Sequence, residues 1–129
     1  GTYLGQPGAQ SDTDYIAAVK RALTTGVNVV DTASNYRFQR SERAIGQALT
    51  ELAEAQSIAR DEIILCTKGG YIPFDSEYPR DPNRYIRETL IEPGLITAED
   101  IVDGHCLSPR FIRAQLEQSR PLAAELTGG

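Results

Sequence analysis

The sequence has 129 residues, which is enough for one domain with its own core and too few for two, and its 40% hydrophobic and 24% charged residues argue against disorder. The formal net charge is −5 and no run of Lys or Arg occurs, which argues against nucleic acid and anionic membranes as partners. No stretch approaches the ~18 consecutive apolar residues of a membrane span and the N-terminus lacks a signal pattern, so we expect a soluble, cytoplasmic protein.

The first two predicted elements are a strand and a helix. "GTYLG" (1–5) alternates small and large residues and predicts a short strand that runs into a Gly- and Pro-rich turn. Residues 11–26 predict a helix with Ser11 or Asp12 as its N-cap and Gly26 at the left-handed position after its end. The residues that recur at helical spacing and predict its apolar stripe are Tyr15, Ala18, Val19 and Ala22.

Two further strands follow, with a second helix between them. "VNVVDTA" (27–33) and "DEIILCTK" (61–68) are almost continuously apolar, which predicts strands covered on both faces. Residues 41–56 predict a helix with Ser41 as its N-cap. Its predicted inner face consists of Ala44, Ile45, Ala48, Leu49 and Leu52. Strands that alternate with helices over short links predict an α/β fold with parallel strands and right-handed crossovers.

The alternation stops after Lys68. Residues 69–107 form a long loop, rich in Pro and Gly, with one predicted helix at 83–91, and loops of this length are usually functional. Residues 108–126 then predict a helix with Ser108 as its N-cap and Pro109 in its first turn. Its predicted inner face consists of Phe111, Ile112, Gln115, Leu116 and Ser119. We treat residues 1–129 as a single domain that carries the 69–107 loop.

The two cysteines predict no metal site, and their positions in the sequence leave a disulfide between them open. Cys66 stands in an apolar run, where a small buried thiol is the simplest interpretation. Cys106 follows His105, but no third or fourth ligand stands at finger-like spacing, so we assign no metal. Nothing in the sequence indicates an oxidising compartment.

Three polar residues stand where the predicted strands end. Asp31 closes the second strand, Tyr36 lies on the loop behind it, and Lys68 closes the third strand. If these strands are neighbours ~4.8 Å apart, the side chains of Asp31 and Lys68 can meet. A lysine ammonium near a tyrosine favours the phenolate, so the tyrosine can donate a proton to a developing alkoxide, as carbonyl reduction requires. The alternative is structural, since acids after strands often cap helices and strand-end lysines are often merely solvated.

The motifs "GVNVVDTASNY", "SERAIGQAL" and "EIILCTK" together resemble the aldo-keto reductase superfamily. The shared pattern is an Asp that ends the second strand, a Tyr five residues later, a helix opened by Ser-Glu and a Lys that ends the third strand. "GTYLG" is also similar to that family's first barrel strand, which passes close to the nicotinamide. The resemblance runs in order from residue 1 to about residue 120.

This resemblance implies a fold and a reaction. The fold is the N-terminal portion of a (β/α)₈ TIM barrel, incomplete in this chain because a full barrel needs about 250 residues. The reaction is the reduction of a small-molecule carbonyl substrate, an aldehyde or ketone, with NADPH, less often NADH. The resemblance assigns Tyr36 as general acid, Lys68 as the residue that tunes it, and Asp31 as the residue that fixes Lys68. The residues expected beside the cofactor are Gly1, Thr2, Tyr3 and Asp31.

Two departures from the family pattern leave a second hypothesis open. The family places a catalytic histidine at the end of the fourth strand, whereas His105, the only histidine here, falls in the long loop. The main cofactor-binding strands of the family come later than this sequence extends. The protein is therefore either a reductase or a catalytically incompetent half barrel that binds a ligand, a partner or itself. Three strands with an open edge predict a homo-oligomer that covers this edge.

The side chains of the long loop also allow two interpretations. Its aromatic residues either line a pocket for an apolar carbonyl compound or pack the loop onto the outside of the barrel, and they are Tyr71, Phe74, Tyr78 and Tyr85. Its arginines more simply form a solvated helix face than a phosphate site, and they are Arg80, Arg84 and Arg87.

Overall fold

The computed structural model describes residues 1–124, with side chains as far as Arg120. From residue 9 to residue 66, helices and strands alternate as the sequence predicts. The elements are α1 (Ala9–Thr24), β1 (Val29–Asp31), α2 (Arg40–Glu54), β2 (Ile64–Cys66), α3 (Pro82–Ile86), a π-helical turn (Arg87–Ile91) and α4 (Pro109–Ala124). Short 3₁₀ turns occupy Arg60–Glu62 and Ala98–Asp100. No helix in the described part of the chain is long and apolar enough to cross a membrane.

The sheet consists of β1 and β2, which are parallel as predicted. The register pairs Val29 with Ile64 and Asp31 with Cys66. Helices α1 and α2 cover one face of the sheet, where Val30 is buried with their apolar side chains. The prediction that both faces are covered is wrong, because the opposite face is open and leaves Val29 50% and Ile64 57% exposed. Cys66 lies on this face and is exposed, which also corrects its predicted burial.

The predicted first strand is absent from the structure, since residues 1–5 form no ladder. Side-chain hydrogen bonds hold this segment instead of backbone pairing. The Thr2 hydroxyl donates to Thr32 Oγ1 at 2.8 Å, and the Ser41 hydroxyl donates to the Thr2 carbonyl at 2.5 Å. Thr2 is therefore buried, at 7% exposed, although residues 1–5 belong to no sheet.

The helix boundaries differ from the predicted ones at the N-termini. Helix α1 begins after Gly8, and Asp12 pairs with two arginines instead of capping the helix. Helix α2 begins after Gln39, so Ser41 lies in its first turn. The Ser41 hydroxyl donates to the Thr2 carbonyl instead of capping the helix. Gly26 has a φ of +109° after the end of α1, as predicted.

Helix α2 supplies most of the main core. All five residues of its predicted inner face are buried. Four of them, Ile45, Ala48, Leu49 and Leu52, pack against α1 and β1. The predicted stripe of α1 is only partly right, because Ala18 is exposed and Leu23 is buried.

The long loop has a core of its own, to which α4 contributes. Ile72, Ile96 and Cys106 are buried with Phe111, so Cys106 is a packed thiol. Both cysteines are free, and the described residues contain no group of three metal-ligating side chains. The loop's aromatic rings pack edge-on against one another, Phe74 against both Tyr78 and Tyr85.

Helix α4 begins as predicted, since the Ser108 hydroxyl accepts a hydrogen bond from the Phe111 amide at 3.3 Å. Phe111 and Gln115 are buried on its inner face. Leu116 is 57% exposed, which corrects its predicted inward position. The reason is that it borders an open cleft of about 170 Å³ beside residues 67–69.

Candidate active site

Asp31, Tyr36 and Lys68 come together beyond the carboxyl ends of the two strands. Asp31 is the last residue of β1, and Lys68 lies two residues beyond the end of β2. The Lys68 ammonium donates to the Asp31 carboxylate, to the Thr32 carbonyl at 2.8 Å and to the Tyr36 hydroxyl at 3.4 Å. These three acceptors match the three N–H groups of an ammonium. The parallel pairing of β1 and β2 thus brings together the three candidate residues identified from the sequence.

The charge of Lys68 is stabilised by this arrangement. The hydrogen bond to the Asp31 carboxylate, and then the one to Tyr36, raise the pKa of Lys68 above its ordinary value of 10.5. The Lys68 ammonium also lies 5.1 Å from the centroid of the Tyr36 ring, within cation–π range. The side chains of Lys68 and Asp31 are about half exposed. Lys68 therefore remains a cation at neutral pH.

Tyr36 is followed by an unusual backbone segment. Arg37, Phe38 and Gln39 all have positive φ, of 49°, 55° and 69°. Non-glycine residues seldom adopt this conformation, and such strain concentrates at functional sites. The segment ends where α2 begins, so only three residues separate Tyr36 from the first turn of that helix.

Arg37 is a site residue that sequence analysis did not identify. Its side chain is only 1% exposed and donates to Asp12 at 2.7 Å and to the Gln6 carbonyl at 2.9 Å. Its guanidinium also lies 4.5 Å from the centroid of the Tyr15 ring. Arg37 thereby joins the turn after Tyr36 to the N-terminal segment and to α1. No local sequence signal distinguishes it from a surface arginine, because its partners are distant in the chain.

The N-terminal segment contributes an aromatic ring beside Tyr36. The Tyr3 ring is 61% exposed, and its centroid lies 5.8 Å from that of Tyr36. Thr2 is buried and its hydroxyl is engaged with Thr32, so it supports the segment. Gly1 is exposed. Tyr3 and Asp31 therefore present accessible groups near Tyr36, one an aromatic ring and the other a carboxylate.

His105 lies in the long loop, as the sequence predicts. Its ring packs edge-on against Tyr71, with 5.0 Å between the centroids, and its Nδ1 lies 2.8 Å from the Asp103 carbonyl oxygen. These contacts give His105 a role in the turn at residues 102–105, where it pairs with Val102.

Comparison with known proteins identifies relatives of the chain. A sequence model of the Aldo/keto reductase family matches residues 1–122. The chain is 34% identical to Aldo-keto reductase YhdN of Bacillus subtilis over 61 residues, which is 47% of this chain and 17% of that protein. It is 33% identical to 6-dehydroglucose reductase of Novosphingobium aromaticivorans over 94 residues, which is 70% of this chain and 30% of that protein. The matches thus span less than a third of either relative. No solved structure matches the chain.

Proposed function

Because the chain belongs to the aldo/keto reductase family, we propose that it carries the proton-donating part of a site that reduces aldehydes or ketones to alcohols with NAD(P)H. One observation carries this proposal: the Lys68 ammonium contacts both the Asp31 carboxylate and the Tyr36 hydroxyl. A phenol beside a fixed cation and open to solvent can deliver a proton to a substrate oxygen.

The three residues have different roles in this proposal. Tyr36 is the general acid, which gives its hydroxyl proton to the carbonyl oxygen of the substrate as this oxygen becomes an alcohol. Lys68 stabilises the phenolate left behind, because a cation near an acid favours its charged form. Asp31 holds the Lys68 ammonium in place, and its contact keeps the pKa of Lys68 raised. Asp31 therefore acts on Lys68, and Lys68 in turn acts on Tyr36.

The accessible groups near Tyr36 are compatible with a nicotinamide, although Thr2 can support one only indirectly. NADPH, when bound, supplies the hydride for the carbonyl carbon. The exposed ring of Tyr3 offers a flat apolar surface. The half-exposed carboxylate of Asp31 offers a hydrogen-bond acceptor. Gly1 and Thr2 complete this segment, with Thr2 holding it against Thr32. The substrate is a small carbonyl compound. Since one relative is named a 6-dehydroglucose reductase, sugar-derived aldehydes are worth testing.

Replacement of Tyr36 by Phe tests the proposal. The chain is mixed with NADPH and a panel of aldehydes and ketones, and oxidation is followed through the absorbance of the reduced nicotinamide. We expect turnover with the wild type and a loss of at least 10²-fold in Tyr36→Phe, the usual scale of general acid catalysis. Tyr78→Phe is the matched control, because Tyr78 is 65% exposed in the loop. Equal turnover in Tyr36→Phe and the wild type would contradict the assigned role.

The open face of the sheet favours a second candidate function. Val29 and Ile64 are about half exposed on this face, as expected for a half barrel that binds a ligand, a partner or another copy without catalysis. The same assay separates the candidates when NADPH binding is also measured, for example by fluorescence. Absence of both turnover and binding supports the non-catalytic candidate, whereas turnover that depends on Tyr36 excludes it.

A further inference from the structure

Lys68 depends on more than the strand that precedes it. The backbone ladder of β2 ends at Cys66, and two glycines, Gly69 and Gly70, follow Lys68 directly. Glycines give the chain unusual freedom, and Gly70 uses it with a φ of +102°. The Lys68 carbonyl itself accepts from Ser34, at 3.4 Å from the amide and 3.2 Å from the hydroxyl. Two further anchors hold the residues on either side of Lys68.

The first anchor is Gln115 of α4. Its Oε1 accepts a hydrogen bond from the Gly70 amide at 2.6 Å, and its Nε2 donates to the Tyr71 carbonyl at 2.8 Å. Gln115 is 6% exposed, so both of these hydrogen bonds are shielded from water. The approach is so close that a Cβ on Gly69 would lie 2.9 Å from Gln115 Oε1. Gln115 thus fixes the chain just after Lys68.

The second anchor joins Ser119 of α4 to the residue before Lys68. The Ser119 hydroxyl donates to Glu42 Oε1 at 3.0 Å, and the Thr67 hydroxyl donates to the same oxygen at 2.5 Å. Glu42 is 7% exposed and stands in the first turn of α2, where the helix dipole favours a carboxylate. Two hydroxyl donors and the helix end replace the water that this buried charge has lost.

The two anchors belong to one face of α4, because residues four positions apart on a helix lie above one another. We propose that Gln115 and Ser119, the latter through Glu42, are positioning residues that hold Lys68 against Asp31 and Tyr36. They fix the chain on both sides of Lys68, at Thr67 and at Gly70. Helix α4 and the loop that leads to it are thereby part of the catalytic apparatus. This inference rests on the function proposed above for Lys68.

The titration of the Lys68 side chain measures this positioning without any substrate. Its ¹³Cε and ¹⁵Nζ signals are followed by NMR as the pH is raised in the labelled chain, and Lys68→Arg assigns them. We expect the titration to shift to lower pH in Gln115→Ala and in Ser119→Ala, because a displaced ammonium loses part of its contact with Asp31. Ser119→Thr keeps the hydroxyl and should restore the wild-type titration.

Gln118 supplies the matched control on the same helix. Its side chain donates to Gln39 at 2.7 Å and reaches neither neighbour of Lys68. Gln118→Ala should therefore leave the Lys68 titration unchanged. An unchanged titration in both Gln115→Ala and Ser119→Ala, with only a lower unfolding midpoint, would show that these residues support the fold alone and would overturn the inference.

Two features keep the test decisive. If Gln115→Ala does not fold, Gln115→Met fills a similar volume without the acceptor for Gly70 or the donor to Tyr71, adds no charge near Lys68, and should also shift the titration to lower pH. The measurement needs no turnover, so it separates the two proposals. A shifted titration in a chain without reductase activity would support the positioning role and count against the proposed function. Reductase activity together with an unchanged Lys68 titration would support the proposed function and overturn the positioning role.

Discussion

At the scale of single residues, Lys68 is the centre of the chemistry that we propose for the site. Its ammonium has an acceptor for each N–H group: the Asp31 carboxylate, the Thr32 carbonyl and the Tyr36 hydroxyl. A neutral amine in the same place would bind Asp31 less strongly and would not favour a phenolate. The raised pKa of Lys68 therefore links the stability of the fold to the proposed chemistry.

This link predicts a pH dependence of stability. Because the folded pKa of Lys68 lies above its ordinary 10.5, its contribution to the free energy of unfolding is complete below about pH 10.5 and is lost as the pH rises through the folded value. In Asp31→Asn the lysine loses its main partner, so this alkaline decline should become smaller. Urea unfolding of both proteins between pH 8 and pH 12 measures the difference.

Tyr85 has to be taken into account in that comparison. Burial raises its pKa above the ordinary 10.0, so it also lowers stability as the pH rises. Its contribution is the same in wild type and Asp31→Asn, and the difference between them isolates Lys68. Parallel alkaline declines in the two proteins would contradict the prediction.

At the scale of elements, α2 joins the core to the site. One face buries five apolar residues, of which four pack against α1 and β1. Its first turn carries Ser41, which binds Thr2, and Glu42, which binds Thr67. The same helix thus stabilises the fold and positions both the N-terminal segment and the end of β2.

Truncation of Leu49 tests the contribution of this helix to stability. Leu49 is fully buried, so Leu49→Ala should lower the free energy of unfolding by about 2–5 kcal/mol through lost burial and the cavity left behind. Leu116→Ala is the matched control on α4. Leu116 is 57% exposed, and its truncation should change stability by no more than about 0.5 kcal/mol. Equal losses in chemical unfolding would contradict this core assignment.

At the scale of the whole molecule, the open face of the sheet is the main feature to explain. Helices cover one face of β1 and β2, while Val29 and Ile64 stand half exposed on the other. Exposed apolar strands with free edges pair readily with other chains. The sequence predicts a homo-oligomer that covers the open edge of the sheet, and we extend this prediction to a second copy that also packs on the open face.

Light scattering after size-exclusion chromatography tests this association. The wild type should elute with a mass above the 14.1 kDa of one chain. Val29→Lys places a charge on the open face and should shift the mass towards that of a monomer. Val102→Lys is the control, because Val102 is 66% exposed on the long loop. A monomeric wild type at micromolar concentration would refute the prediction.

The sequence alone determined those features that depend on local periodicity or on a motif. The inner face of α2 follows from helical spacing, the alternation of strand and helix predicts parallel pairing, and the Ser108 cap marks the start of α4. The gathering of Asp31, Tyr36 and Lys68 could also be predicted. Each stands at or just beyond the end of a strand, and the ends of parallel strands meet at one edge.

Only the tertiary structure decided which surfaces are covered and which distant side chains meet. Residues 1–5 look like a strand but form none, and Val29 and Cys66 look buried but are exposed. Arg37 is buried, and Ser119 reaches Glu42 across 77 residues of sequence. The physical reason is that burial and hydrogen bonding depend on the neighbours that the fold supplies, whereas a sequence pattern records only the spacing of residues along their own element.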